Sequence, residues 1–166
     1  MPDYLKKSFF IDLFIIIIIF SLDRISKFYV VLESKINLSD SLFTSKFLNI
    51  NLIWNDGIAF GLFSFNESFL YNLITAIIII VIIIILKMIN NSNGLSKYSL
   101  LMILGGALGN VYDRIMYNSV PDFIDFHINN FHWFVFNVAD IFITVGVIIM
   151  IMTEFFNRKK IDNENN

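Results

Sequence analysis

Cysteine is absent from the 166 residues. That absence alone excludes disulfides, thiolate nucleophiles, iron–sulfur clusters and Cys-ligated zinc, and it leaves no thiol for lipidation. Histidine is nearly absent. His127 and His132 are the only two, too few for a His-rich metal cage. Charged residues make up only 16% of the chain, and the formal balance of -2 offers no basic surface for nucleic acid. Apolar residues take their place, at 57% of the chain with 19 phenylalanines. One soluble core of this length cannot hide that much apolar surface. Residues 15–19, 77–80 and 82–85 are isoleucine runs with no polar face. A helix that is apolar all round needs lipid or other helices on every side. The chain reads as an integral membrane protein.

Four stretches can each cross a bilayer, which takes about 20 residues. They cover residues 8–31, 69–89, 100–116 and 135–156. Lys6 and Lys7 before the first resemble the start of a signal peptide, but no small-x-small cleavage site follows, so an uncleaved span is expected. Lys6, Lys7, Lys87, Lys97 and the basic run 158–160 flank the spans on one side. The positive-inside bias then puts both termini and the loop 90–97 in the cytoplasm. Segments 33–67 and 117–134 lie outside. Within the first, Ile50, Leu52 and Trp54 alternate, a strand signal over 47–54, and Asn55-Asp56-Gly57 follows as a turn. There is no internal repeat, so residues 1–166 read as a single polytopic domain.

A charge near the bilayer centre costs about 2.5–3.5 kcal/mol on insertion scales, so charges inside spans need a reason. Here they cluster. Asp23, Arg24 and Lys27 fall near the outer end of span one, Asn110, Asp113 and Arg114 near that of span three. Asn137 and Asp140 open span four, and Asp122 lies in the loop before it. This topology brings all of them to one depth. Asp23/Lys27 and Asp113/Arg114 also read as ion pairs that only hold helices together. Gly105, Gly106 and Gly109 have the small-residue spacing of close helix packing, and would also let a substrate helix approach. His127 and His132, beside Phe126, Phe131 and Trp133, read as part of an interfacial aromatic belt, and Asp125 as a solvated or capping acid. Asp122 and Asp140 lack a basic partner at helical spacing. Two carboxylates brought together share one proton, so one can act as general base on water and the other as general acid. Proton-coupled carriers also keep acids in membranes, and that reading stays open here, as does a non-catalytic assembly subunit.

Five segments carry a resemblance that covers nearly the whole chain. They are Ser21-Leu22-Asp23-Arg24-Ile25-Ser26-Lys27, Trp54-Asn55-Asp56-Gly57-Ile58-Ala59-Phe60-Gly61, and Gly105-Gly106-Ala107-Leu108-Gly109-Asn110-Val111-Tyr112-Asp113-Arg114, followed by Val120-Pro121-Asp122-Phe123-Ile124-Asp125-Phe126 and Phe136-Asn137-Val138-Ala139-Asp140. In order and content they resemble the motifs of bacterial lipoprotein signal peptidase, the type II signal peptidase. The resemblance implies four transmembrane helices with a small external β-cradle and periplasmic loops in the cytoplasmic (inner) membrane. It implies an aspartic dyad of Asp122 and Asp140 that cleaves prolipoproteins just before a diacylglyceryl-modified cysteine. Asn55, Asn110, Arg114 and Asn137 match polar positions around that site, with Asp23, Lys27, Asp113, Gly57 and Gly106 in support. Asp113 is expected to hold Arg114 in place. Pro121 and Ile58 depart from the usual residues. The expected partners are prolipoprotein substrates and membrane lipids, with no cofactor, no metal at the site and no nucleic acid, and the expected state is a monomer.

Overall fold

The computed structural model describes residues 3–37, 41–56, 67–129 and 131–164, with side chains at 8–36, 41–56, 71–129 and 131–157. Four helices, α1 (Asp3–Asn37), α2 (Glu67–Asn91), α3 (Gly94–Tyr117) and α4 (Val138–Glu164), account for most of it. Strands β1 (Phe43–Thr44), β2 (Leu48–Asn55), β3 (Val120–Ile128) and β4 (Phe131–Phe136) form one antiparallel sheet in the order β1-β2-β3-β4. The strand signal over 47–54 corresponds to β2. The turn expected after it runs out of the described residues at Gly57, and Ile58 also lies outside them.

Helix α3 is the centre. Its long buried face, from Ser99 to Asp113, packs against α1, α2 and α4. Leu100, Leu101 and Leu104 form an apolar cluster there with Ile82, Ile85 and Ile89 of α2. The rest of α2 stays uncovered: Ile77, Ile80, Ile83 and Ile84 are all about half exposed. Apolar side chains left outside a well-packed helix contact suit lipid, since water would penalise each of them. Residues 71–91 of α2 and 138–157 of α4 are long and apolar enough to cross a membrane. Helices α1 and α3 are long enough too, but carry charges, and these turn inward. Asp23, Lys27 and Asp113 are buried, while Phe14, Leu22, Ile25 and Phe28 of α1 face outward.

Two joints between helix and strand place the acids. Helix α3 ends at Asn118, whose left-handed backbone (φ 54°) brings its N–H to the Arg114 carbonyl at 3.2 Å. Such a C-cap stops the helix and turns the chain straight into β3. Asp122 therefore sits on a strand, where a loop was expected, and pairs across from Ile53 of β2. The second joint is Asn137. The fourth apolar stretch, read from residue 135, is strand as far as Phe136 and helix only from Val138. Apolar residues flank Asn137 on both sides, so composition does not separate the strand end from the helix start.

Candidate active site

Asn137 follows β4 and caps α4. Its side-chain oxygen accepts the Asp140 backbone N–H at 3.2 Å, and the Asp140 carboxylate accepts the Asn137 backbone N–H at 3.1 Å. This is a reciprocal capping box between the residue before the helix and its third residue. It locks the Asp140 side chain against the positive end of the helix, where a carboxylate is stabilised. The Asn137 amide nitrogen is left to donate to Asp122 at 2.6 Å. One buried asparagine thus holds two acids, one on a strand and one on a helix.

Each acid has a further donor. Asn55, at the end of β2, donates to the second Asp122 oxygen at 2.8 Å, and Asn110 of α3 donates to Asp140 at 2.8 Å. Asp122 is 4% exposed. Burial pushes its carboxyl above the usual range, the Asn55 and Asn137 amides pull it back, and the charge of Asp140 pushes in the same direction as burial. Both acids line one cavity of about 630 Å³. Its other walls are nearly all apolar, chiefly Phe126, Trp133, Phe134 and Phe136 of the sheet with Ile141 and Val145 of α4.

Behind the acids lies a compact ionic group between α1 and α3. Lys27 reaches Asp23 at 2.9 Å and Asp113 at 2.6 Å, and Arg24 bridges the same two carboxylates. Two cations and two anions leave it neutral, as burial requires. Lys27 also donates to the Asn110 side-chain oxygen at 2.9 Å, which aims the Asn110 amide nitrogen at Asp140. Asp23 in turn accepts the Ala139 backbone N–H at 3.1 Å, one of the unpaired donors that open α4. The group is therefore wired to the site through Asn110 and through the α4 terminus.

Three expectations change here. Asp113 pairs with Arg24 and Lys27 of α1, and its neighbour Arg114 donates to a backbone carbonyl instead. Arg114 donates to the Asn110 carbonyl at 3.1 Å, and its Nε has no partner among the described residues. The glycine face of α3 is filled by the protein itself and is not a path for a substrate helix. A Cβ at Gly106 would lie 2.5 Å from the Ala139 carbonyl, and one at Gly109 2.5 Å from Asp23. Asp125 is buried and paired, not solvated: it accepts from Asn49 at 3.2 Å and meets His132 at 2.9 Å. Two features escaped the sequence reading of the site: Arg24 as the main bridge between helices, and the aromatic hairpin as the cavity wall. Their residues were visible, but only tertiary contacts assign them.

Residues 15–156 match the family model described as signal peptidase (SPase) II. The chain belongs to the signal peptidase II family. Curated relatives named lipoprotein signal peptidase agree. The protein of Pelagibacter ubique (strain HTCC1062) is 49% identical over 160 residues, covering 96% of each chain. That of Anaplasma phagocytophilum (strain HZ) is 37% identical, covering 95% of this chain and 99% of the relative. That of Francisella tularensis subsp. mediasiatica (strain FSC147) is 36% identical, covering 93% and 96%. Two solved structures, each described as a bacterial membrane enzyme, share the fold. One has a TM-score of 0.70 at 29% identity, covering 86% of this chain and 90% of its own. The other has 0.68 at 26%, covering 90% of both. Membership in a signal peptidase II family makes the chain a peptidase of membrane type and leaves nothing in favour of the carrier or assembly-subunit readings.

Proposed function

We propose that the protein is an aspartic endopeptidase of the cytoplasmic (inner) membrane that removes the signal peptide of diacylglyceryl-modified prolipoproteins, cutting just before the lipidated cysteine. Four helices span the bilayer as one polytopic domain, both termini are cytoplasmic, and Asp122 and Asp140 work at the periplasmic boundary. The observation that carries this reading is the shared hold of Asn137 on both acids at one apolar-walled cavity. The curated relatives bear the name lipoprotein signal peptidase, which supports the same substrate here. An aromatic and aliphatic wall suits the acyl chains and the signal helix that such a substrate presents from within the membrane.

The chemistry rests on the difference between the two environments. Asp122, buried and held above the usual carboxylate range, carries the shared proton. Asp140, at the helix terminus and open to the cavity, is the base. Asp140 takes a proton from water while the water oxygen attacks the scissile carbonyl, and Asp122 gives its proton to the carbonyl oxygen. The tetrahedral diol then collapses as Asp140 hands its proton to the leaving amine, and Asp122 recovers one from the hydroxyl. Neither a metal nor a cofactor takes part. The chain acts as a monomer among membrane lipids.

The test is incubation of detergent-purified protein, in buffer containing EDTA, with a diacylglyceryl-modified prolipoprotein. Loss of the signal peptide is the expected result. Asp122→Asn and Asp140→Asn should each lower turnover by about 10²–10⁴-fold while the protein still folds. Unchanged turnover in either folded variant removes that residue from the mechanism, and intact substrate with the wild-type protein rejects the reading.

A further inference from the structure

We infer that the β3–β4 hairpin carries a binding site for one zinc-class divalent cation, formed by Asp125, His127 and His132 on the sheet face opposite Asp122. Strand alternation puts Asp125 and His127 on one face of β3 and Asp122 on the other. The register then places His132 of β4 directly across from His127. The only two histidines of the chain thus meet with a buried acid.

The geometry is close to a ligand set. One donor atom from each of the three side chains lies within 4.8 Å of the others. A tetrahedral ion about 2.1 Å from each donor separates them by about 3.4 Å, so modest rotation about the side-chain bonds closes the site. His132 Nδ1 already sits 3.0 and 2.9 Å from the two Asp125 oxygens, and Asn49 steadies the carboxylate at 3.2 Å. An acid–imidazole pair accounts for His132, but it leaves out His127. The His127 ring stacks on His132 with centroids 5.0 Å apart, and its Nδ1 is buried with no hydrogen-bond partner among the described residues. A metal ion bound through Nδ1 would satisfy that nitrogen. Two imidazoles and one carboxylate select a borderline ion such as Zn²⁺ over Ca²⁺ or Mg²⁺, which prefer all-oxygen shells. The His132 side chain is 52% exposed, so the site has an entry path and room for water as fourth ligand.

Phe126 and Trp133 alternate with these ligands along the hairpin and line the cavity of the acids. A bound ion would brace that wall from behind without touching the dyad. The site stands on its own geometry and does not depend on the proposed reaction.

The experiment uses full-length protein in detergent, purified without a polyhistidine tag, stripped with EDTA and exchanged into chelator-free buffer. Calorimetric titration with ZnCl₂ should give one saturable site per chain. His127→Gln and His132→Gln should each weaken it by at least about tenfold, the smallest loss expected of a metal ligand, while Asp122→Asn binds like the wild type. Absence of a saturable site in the wild type, or unchanged affinity in both glutamine variants, overturns the proposal. Should the glutamine variants aggregate, a Trp54→Phe background leaves Trp133, next to His132, as the one tryptophan. Stoichiometric Cu²⁺ should then quench its fluorescence, and EDTA should restore it. Unquenched emission overturns the proposal equally.

Discussion

Two carboxylates of the same residue type are made unequal by what surrounds them. Asp122 is enclosed by sheet, and burial raises its carboxyl against the pull of two amides. The proposed reaction needs one proton on the pair, so the high-pH limb of kcat/KM marks the loss of that proton. Asn55 donates to Asp122 and favours its charged form. Asn55→Ala removes that donor, so the carboxyl holds its proton more tightly and the limb moves to higher pH. A hydrogen bond to a charged group is worth about 1.5–3 kcal/mol, enough to make the move measurable. A pH–rate profile of the purified variant checks this. A limb that stays put or moves to lower pH denies Asn55 the role. Asp122 and Asp140 were legible as candidates because neither has a basic residue at helical spacing. Their donors were legible only as polar residues in motifs, since each hydrogen bond joins segments 15 to 67 positions apart.

At the scale of elements, α3 is both scaffold and relay. Gly106 lets α4 come close enough for its backbone carbonyl at Ala139 to pack directly on α3. Gly106→Ala forces the two helices apart just where Asp140 follows Ala139. The expected cost is about 1–3 kcal/mol of stability, with a loss of turnover because Asp140 moves away from Asn110. Asp113→Asn acts differently. It leaves Arg24 and Lys27 sharing Asp23 alone in a buried setting, where breaking such a group costs about 3–5 kcal/mol. Thermal unfolding in detergent should show the Asp113→Asn loss clearly, while turnover per folded molecule falls less than in Asp122→Asn. If folded Asp113→Asn is inactive and Asp122→Asn is active, the assignment of the dyad is wrong. The partner of Asp113 was misread from sequence because adjacency along the chain suggested Arg114, whereas the helix surface turns Asp113 towards α1.

For the whole molecule, the decisive property is which side of the membrane the acids face. Asp12 pairs with Lys97 at 2.5 Å near one end of the α1–α3 contact. Asp23 and Lys27 lie 11 and 15 residues further along α1, about 16–22 Å at helical rise. In the proposed topology the two charge groups fall in opposite halves of a hydrocarbon core about 30 Å thick. The proposed topology, drawn from the basic flanks, has the Lys97 end in the cytoplasm. Because the chain has no cysteine, single cysteines at Thr44, Asn93 and Asn129 report this cleanly. In intact cells with a permeabilised outer membrane, an impermeant thiol reagent should label positions 44 and 129, and should reach 93 only after lysis. Labelling of 93 with protection of 129 would put the acids on the wrong side for the proposed substrate.

Composition alone determined that this chain belongs in a membrane, since no soluble packing hides such isoleucine runs. Motif order determined the family, because the Gly105–Arg114, Asp122 and Asn137–Asp140 segments retain their residues in sequence. Both kinds of information are local and survive without coordinates. Tertiary structure alone decided that Asn137 would serve two acids at once, that Asp113 would pair with α1, and that the two histidines would face each other beside a buried Asp125. The reason is the same in each case: a strand turns every second side chain to the far face and a helix turns each by about 100°. Which groups meet therefore depends on strand register and helix phase, which only the fold fixes.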